Sequence, residues 1–405
     1  MNTRTIIFDD GLGQLGPMTD LRAAFEIRTG FRTTAERIAL RRPKTLAGYW
    51  TRPRLRELVA ARANAPVNDL PSDEVVLCMN GRWILPDPAL QPDVGEAIVE
   101  ESTQHVVVAR LRRADAEFML EHGQLSERVR TTTLPGRILA KYPWDVMTML
   151  RDTLRYDLEH VRFGDEGIPS EHAVVFGGHP VHLHAEATIY PNVTIDVQHG
   201  PVVIDRHAVI RPNAILCGPC AIGPGSTVQD HAIIKANTVL GPVCKVAGEV
   251  GGTVFQGYSN KGHHGFLGDS WVGEWVNFGA GTTNSNLLNT YGEVTMRLEP
   301  DGPRRRTGLT FLGGIFGDHV KTAINTSIMT GSVYGTGAMI ATTAAPPTTV
   351  GRFAWLTDDG ARVYRLEKFM EVMQAVMSRR GMKPSDLDRD AIAALHAAHV
   401  AKADA

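Results

Sequence analysis

An aliphatic residue recurs every six positions through the middle of this chain, at Ile204, Ile210, Leu216, Ile222, Val228, Ile234, Leu240 and Val246. Two residues before each of the last seven stands a small one: Ala208, Ala214, Cys220, Ser226, Ala232, Thr238 and Cys244. An α-helix cannot use this period, because residues six apart advance by about 600° and scatter around the axis. A chain that turns a corner every six residues can use it. The large residue points inward, the small one fits the corner, and three hexads close a triangular coil of a parallel β-helix. The register breaks around Gly251-Gly252. It resumes with Phe266, Val272 and Phe278, and again with Phe316, Thr322, Ile328, Tyr334 and Ile340. Between the last two runs, Leu287 to Gly308 reads as a loop thrown out of a coil. It carries Pro303 and Arg304-Arg305-Arg306, which suit a substrate or cofactor phosphate, or simply solvent.

The repeats occupy roughly residues 166–358. Before them, strand patterns at Arg4–Asp9 and Asp73–Met79 alternate with helical patterns such as Leu55–Arg62 and Asp145–His160, which predicts an α/β domain over residues 1–165. After them, Arg362–Ser378 and Ser385–Ala401 read as amphipathic helices in a segment, 359–405, that caps the solenoid's exposed edge. A net charge of −2 over 405 residues argues against a nucleic-acid surface. No apolar run reaches the roughly 18 residues of a membrane span, and the expected location is cytoplasmic. Cys217-Gly-Pro-Cys220 has redox or zinc spacing, but no second pair completes a metal site and both cysteines fall inside the repeat. His179, His182 and His184 cluster without a cysteine or carboxylate at ligand spacing, so no metal site is expected there.

Two longer passages carry a resemblance. Ser259-Asn-Lys-Gly-His-His-Gly-Phe-Leu-Gly-Asp269 and Trp275-Val-Asn-Phe-Gly-Ala-Gly-Thr-Thr-Asn-Ser-Asn286 resemble the acetyltransferase half of the bifunctional UDP-N-acetylglucosamine pyrophosphorylase/glucosamine-1-phosphate N-acetyltransferases. With Thr307–Gly313, Gly317–Ile324 and Pro346–Trp355, they look closer still to a related bacterial group of sugar nucleotidyltransferase-like proteins. The resemblance implies a left-handed β-helix, a homotrimer, acetyl-CoA or another acyl-CoA as co-substrate, and a sugar phosphate or sugar nucleotide as acceptor. It assigns His263 as the general base, a role suited to an imidazole titrating near pH 6.5. Asn277 and Asn286 match residues that hold the sugar and orient the acceptor. Gly279, Ala280, Ala323 and Thr342 fall where acyl-CoA would bind, and a backbone N–H of Gly279–Gly281 suits the oxyanion. Lys261 and Lys245 are candidate phosphate partners. Phe266 stands where the family has a phosphate-holding tyrosine, so the acceptor is either a sugar phosphate or a nucleotide-linked sugar.

The amino-terminal segment resembles the opening of sugar nucleotidyltransferases, with two departures. Gly11, Gly13, Pro17 and Thr19 echo the Gly-rich loop that cradles a nucleoside triphosphate, but the loop is one residue short. Its phosphate-binding arginine is missing, and Arg22 is the nearest substitute. Where the family has Asn-Gly-Asp to hold Mg2+, this chain has Asn80-Gly81-Arg82, and a cation there repels the metal. Mg2+ is expected only if this domain is active; otherwise the domain binds a sugar nucleotide, helps to assemble the trimer, or works with altered residues. Three readings follow: an N-acyltransferase, a bifunctional enzyme that is also a sugar-1-phosphate nucleotidyltransferase, and a non-catalytic trimeric scaffold.

Overall fold

The structure is a computed structural model that describes residues 3–403. It forms two compact units. The first runs to Val146, except that Gly16–Asp20 and Arg28–Phe31 belong with the second, which takes in the chain from Met147. The chain therefore leaves the first unit well before residue 165, and the carboxy-terminal helices group with the β-helix.

In the first unit, β1 (Arg4–Phe8), β2 (Leu46–Trp50), β3 (Val75–Asn80), β4 (Glu96–Glu100), β5 (Val106–Arg112) and β6 (Arg130–Leu134) form one sheet in the order β2-β1-β3-β5-β4-β6. The two strands read from sequence are its central parallel pair, and they are continuous apolar runs because both faces are covered. Ile6, Ile7, Val76, Cys78, Ala97 and Val107 are fully buried in it. Helix α1 (Thr34–Arg41) starts on a capping box, with Thr33 accepting from the Glu36 N–H and Glu36 from the Thr33 N–H. Helix α2 covers Arg56–Arg62, and α3 (Arg113–His122) stops at Gly123 with φ +70°. Because β1, β2 and β3 run parallel, their carboxyl ends bring Asp9, Asp10, Thr51, Arg52, Asn80 and Arg82 to one edge. The expected helix near residue 145 is α4 (Pro143–Glu159).

In the second unit, β7 (Val174–Phe176), β8 (Val181–Leu183) and β9 (Thr188–Ile189) lay down the first coil, one strand per wall. Later coils stack on them in parallel, and the second wall reaches nine strands. Every hexad aliphatic from Ile204 to Val246 is inside at 0% exposure, and so are the small residues two places earlier. The corner before each first-wall strand needs a left-handed residue, supplied by Asn192, Asn213, His231 and Gly248 in successive coils. Asparagine and glycine tolerate that conformation best.

The resumed register departs from expectation at one residue. Val250 pairs with Leu267, so Leu267 is the inward residue and Phe266 faces outward, half-buried. The next inward residue, Val272, follows Leu267 by five positions instead of six, which shifts the phase. Val272, Phe278, Phe316, Ile328, Tyr334 and Ile340 then lie in the core as expected. The ejected loop leaves after Thr283–Asn284 and contains a small hairpin pairing Thr295–Met296 with Arg305–Arg306. Its Val294 and Met296 are buried, and Arg306 pairs with Glu293. The expected helix from Arg362 is corrected: Gly360–Val363 pairs antiparallel with Ala354–Thr357, and α5 begins later (Leu366–Ser378), followed by α6 (Asp386–Ala403). Among the described residues, no helix is long and apolar enough to cross a membrane.

Candidate functional site

His263 lies on the corner between the third and first walls, with its side chain exposed. What shapes that corner is a lysine in the wrong place for a solenoid. Lys261 pairs with Val246 across the third wall and takes the inward position, 2% exposed, where the repeat calls for an aliphatic residue. Its ammonium curls back to the backbone and donates to the carbonyls of Ala247 at 3.1 Å, His263 at 3.2 Å and Gly265 at 2.7 Å. Those three bonds account for all three of its donors, so the buried charge is satisfied and the segment carrying His263 is tied to the core. Burial pushes the amine down to about 8. This corrects the phosphate role expected for Lys261: its ammonium faces the interior.

The third wall presents Lys245, Asn260, Asn277 and Lys321 as one outward ladder. Lys245 is exposed, and Asn277 accepts from Asn260 Nδ2 at 2.8 Å. Lys321 is mostly buried, which lowers it to about 8. Sequence reasoning missed Asn260 and Lys321, because neighbours across coils on this ladder are 15 to 44 residues apart. Two residues beyond this ladder, Gly262, Gly279, Ala323 and Ala341 succeed one another, none carrying more than a methyl group. A Cβ on Gly279 would meet the Ala323 carbonyl oxygen at 2.4 Å, so the coils close up there and leave a smooth track. Gly279 and Ala323 both lie on this track. Thr342 is one position off the track: it is 6% exposed and its hydroxyl donates to Asp358. The track's own member is Ala341.

Ala280 follows His263 on the next coil, and the Gly281 N–H donates to the His264 carbonyl at 3.2 Å. The Gly279 N–H goes to Thr322 Oγ1 at 3.1 Å. On the first wall the Phe266 ring lies over Gly268, where an added Cβ would come within 2.5 Å of Phe266 Cζ and 2.8 Å of Asn286 Nδ2. Asn286 donates to Asp269 Oδ2 at 2.6 Å at the far corner of that wall. Burial raises the Asp269 carboxyl against the opposing pull of that bond and of Arg151. The wall from His263 to Asn286 thus offers an exposed imidazole, a half-buried ring and a carboxamide in sequence.

The expected nucleotide site is arranged differently from its pattern. The Gly11 backbone, at φ +68°, lets Arg52 press against it, and a Cβ there would be 2.8 Å from Arg52 Cδ. A Cβ on Gly13 would be 2.7 Å from Arg82 Cδ. The room left by these glycines is filled by the chain's own cations. Arg82, 2% exposed, donates from Nε and Nη2 to both oxygens of Asp10 at 2.8 and 2.5 Å, and from Nη1 to the Ala140 carbonyl. Burial works to raise the Asp10 carboxyl, but the Arg82 bonds and charge, with Asn80, hold it below its ordinary value. Asp9 is held by Arg52 and by the Gly11 N–H. Two expected ligands are corrected. Asn80 is fully buried, bonded to Asp10, Val106 and Arg82, and Arg22 is 1% exposed and engaged within the fold. Pro17 and Thr19 lie in the segment that belongs to the second unit, where Asp20 accepts from Arg352 and Thr336. Mg2+ does not fit these residues: the oxygens of Asp10 and one of Asp9 are bound to arginine. Among the described residues no three of His, Cys, Asp and Glu converge as a metal-binding group.

Beside this edge the first unit keeps a cleft of about 860 Å3, lined by Phe8, Trp50, Thr51, Arg52, His105 and Met119 among others.

Residues 5–165 match the family model described as sugar nucleotidyl transferase. Part of the chain is also similar to bifunctional nucleotidylyltransferase/acetyltransferases. It is 34% identical over 147 residues to a bifunctional sugar-1-phosphate nucleotidylyltransferase/acetyltransferase of Sulfurisphaera tokodaii, covering 35% of each chain. It is 34% identical over 143 residues to the bifunctional protein GlmU of Methanococcus maripaludis, covering 35% of this chain and 34% of that one. The chain thus spans about a third of the length of the curated relatives it matches. A structural likeness to the acetyltransferase domain of PglB from Neisseria gonorrhoeae covers 67% of this chain and all of that one. At a TM-score of 0.19 and 11% identity it is too low to bear on the site.

Proposed function

We propose that the β-helix moves an acyl group, acetyl first, from acyl-CoA onto the amine of an amino-sugar phosphate or nucleotide-linked amino sugar. His263 is the general base. The observation that carries this reading is the exposed His263 on a corner tied down by Lys261, directly beside a track without bulky side chains. An ammonium cannot attack a thioester, so the acceptor reacts as the free amine, and the neutral imidazole takes a proton from its nitrogen as that nitrogen bonds to the acyl carbon. The carbon–sulfur bond then breaks, and the proton passes from the imidazolium to the departing thiolate. The Gly279 and Gly281 N–H groups are engaged, so the donor to the developing oxyanion falls to Ala280. The acyl-CoA chain lies along Gly262, Gly279, Ala323 and Ala341, in a groove completed by a neighbouring β-helix of a homotrimer. The relatives' names, which include acetyltransferase, support the same reading. The test is thiol release from acetyl-CoA in the presence of glucosamine 1-phosphate or a nucleotide-linked amino sugar. His263→Ala is expected to lower kcat by about 10²–10⁴-fold, and undiminished turnover would refute the role.

The family match of residues 5–165 favours a second reading, nucleotidyl transfer by the first unit. The Asp10–Arg82 pair opposes it. Pyrophosphate release from UTP and a sugar 1-phosphate is expected to be absent with Mg2+ present, and robust release would reinstate this reading.

A further inference from the structure

The first coil of the β-helix leaves one wall uncovered at its edge. In the second wall the chain's own residues close β8: the Gly167 N–H donates to the Leu183 carbonyl, and Glu166 bridges to His184. In the first wall β7 is the last strand of its sheet and pairs, among the described residues, only with β10 (Thr194–Asp196). Its three residues are apolar and exposed, Val174 at 59%, Val175 at 44% and Phe176 at 56%. Ile168, on the segment leading into it, is 90% exposed. A bare, uncharged strand edge is a template for another strand, and proteins normally blunt one with charge, proline or a bulge. β7 has none of these. Its backbone register fixes what can pair. The Val174 N–H donates to the Val193 carbonyl, and the Phe176 carbonyl accepts from the Val197 N–H. Alternation along the strand then turns the N–H and C=O of Val175 away from the sheet. The Val175 side chain stands in the inward column with Ile195 and Leu216, at the open end of the core.

We propose that β7 pairs antiparallel with β7 of a second copy of this chain, about a two-fold axis through Val175. The two Val175 residues exchange both backbone bonds, Val174 of each copy falls opposite Phe176 of the other, and the two cores meet end to end. Charge favours this direction. Residues 169–180 hold one acid, Glu171, which precedes the strand and is 87% exposed, and the exposed His179 follows it. An antiparallel copy sets acid beside imidazole at both ends, whereas a parallel one sets like beside like. The contact is end to end, separate from the side-by-side homotrimer of the acyl-transfer reading, and it doubles whichever assembly carries it.

The experiment is the light-scattering mass of the full chain over a dilution series, for the native protein and for Val175→Pro, Phe176→Glu and Val174→Pro. The expected native mass is an even number of chains. Val175→Pro halves it and keeps the melting temperature, because the N–H it removes bonds nothing within the chain. Phe176→Glu also halves it, by placing a carboxylate on the apolar contact, and this variant decides the matter if the proline variant does not fold. Val174→Pro instead lowers the melting temperature, because its N–H holds β7 to β10. A native mass that stays at an odd number of chains throughout the series, or an even mass that a folded Val175→Pro or Phe176→Glu leaves unchanged, overturns the proposal.

Discussion

The two regions each hold a buried cation that breaks the local pattern, and the consequences are opposite. In the first unit Arg82 takes a position beside Asp10 where the family resemblance calls for a carboxylate, and it donates to both oxygens of that acid. The acid is silenced. In the β-helix Lys261 takes a position where the repeat calls for an aliphatic residue, and its donors go to backbone carbonyls only. The imidazole two residues away stays outside and free of that charge network. A cation paired to an acid removes a site; a cation paired to backbone braces one. Residue type alone does not separate these outcomes, whereas the partner does.

The largest expected effect probes the silenced acid. Arg82→Ala leaves Asp10 buried without its counter-ion and should cost about 3–5 kcal/mol in urea unfolding of the first unit. A loss below about 1 kcal/mol would mean that Asp10 is neutralised in another way. Lys261→Met sharpens the contrast. The swap is close in volume and should change stability by less than about 1.5 kcal/mol. It frees the His263 corner, so kcat for thiol release should fall about tenfold with KM for acyl-CoA unchanged. A stable variant with full kcat would reduce Lys261 to packing. Phe266→Tyr comes next, with a several-fold drop in KM for glucosamine 1-phosphate if the ring borders the acceptor phosphate. No change would favour a nucleotide-linked acceptor.

The smallest effect is on pH. Lys261 and Lys321 are both lowered by burial to about 8, from an ordinary 10.5. Above pH 8 the unfolded chain keeps protons that the folded chain has released, so stability rises from about pH 8 to 9. Cys78 and Cys244 are pushed up to about 12 by burial, from an ordinary 9, so they stay protonated in the fold while unfolded thiols ionise. Burial raises the Cys220 thiol as well, so three thiols outweigh the two amines and stability falls above about pH 9. Melting temperatures across this range that drop monotonically from pH 8 would contradict the two buried amines.

The solenoid was legible in the sequence wherever a coil kept three full hexads, as from Ile204 to Val246. The reading differs at Phe266 because the step from Leu267 to the next inward residue, Val272, takes five positions instead of six, and corner length leaves no periodic trace. The Asn80-Gly81-Arg82 departure could be read directly, since it lies within three adjacent residues. What Arg82 does there could not, because Asp10 is 72 residues away in sequence. The Arg52–Asp9 pair was hidden for the same reason. Lys261 was visible as a motif residue, but its inward direction depends on the pairing of Val246 across coils.

One comparison tests the account most directly: thiol release from acetyl-CoA and pyrophosphate release from UTP, measured side by side on the full chain and on His263→Ala. The account predicts thiol release that collapses with the substitution, and no pyrophosphate release from either protein. Pyrophosphate release from the native chain, or thiol release that survives loss of the imidazole, would contradict it.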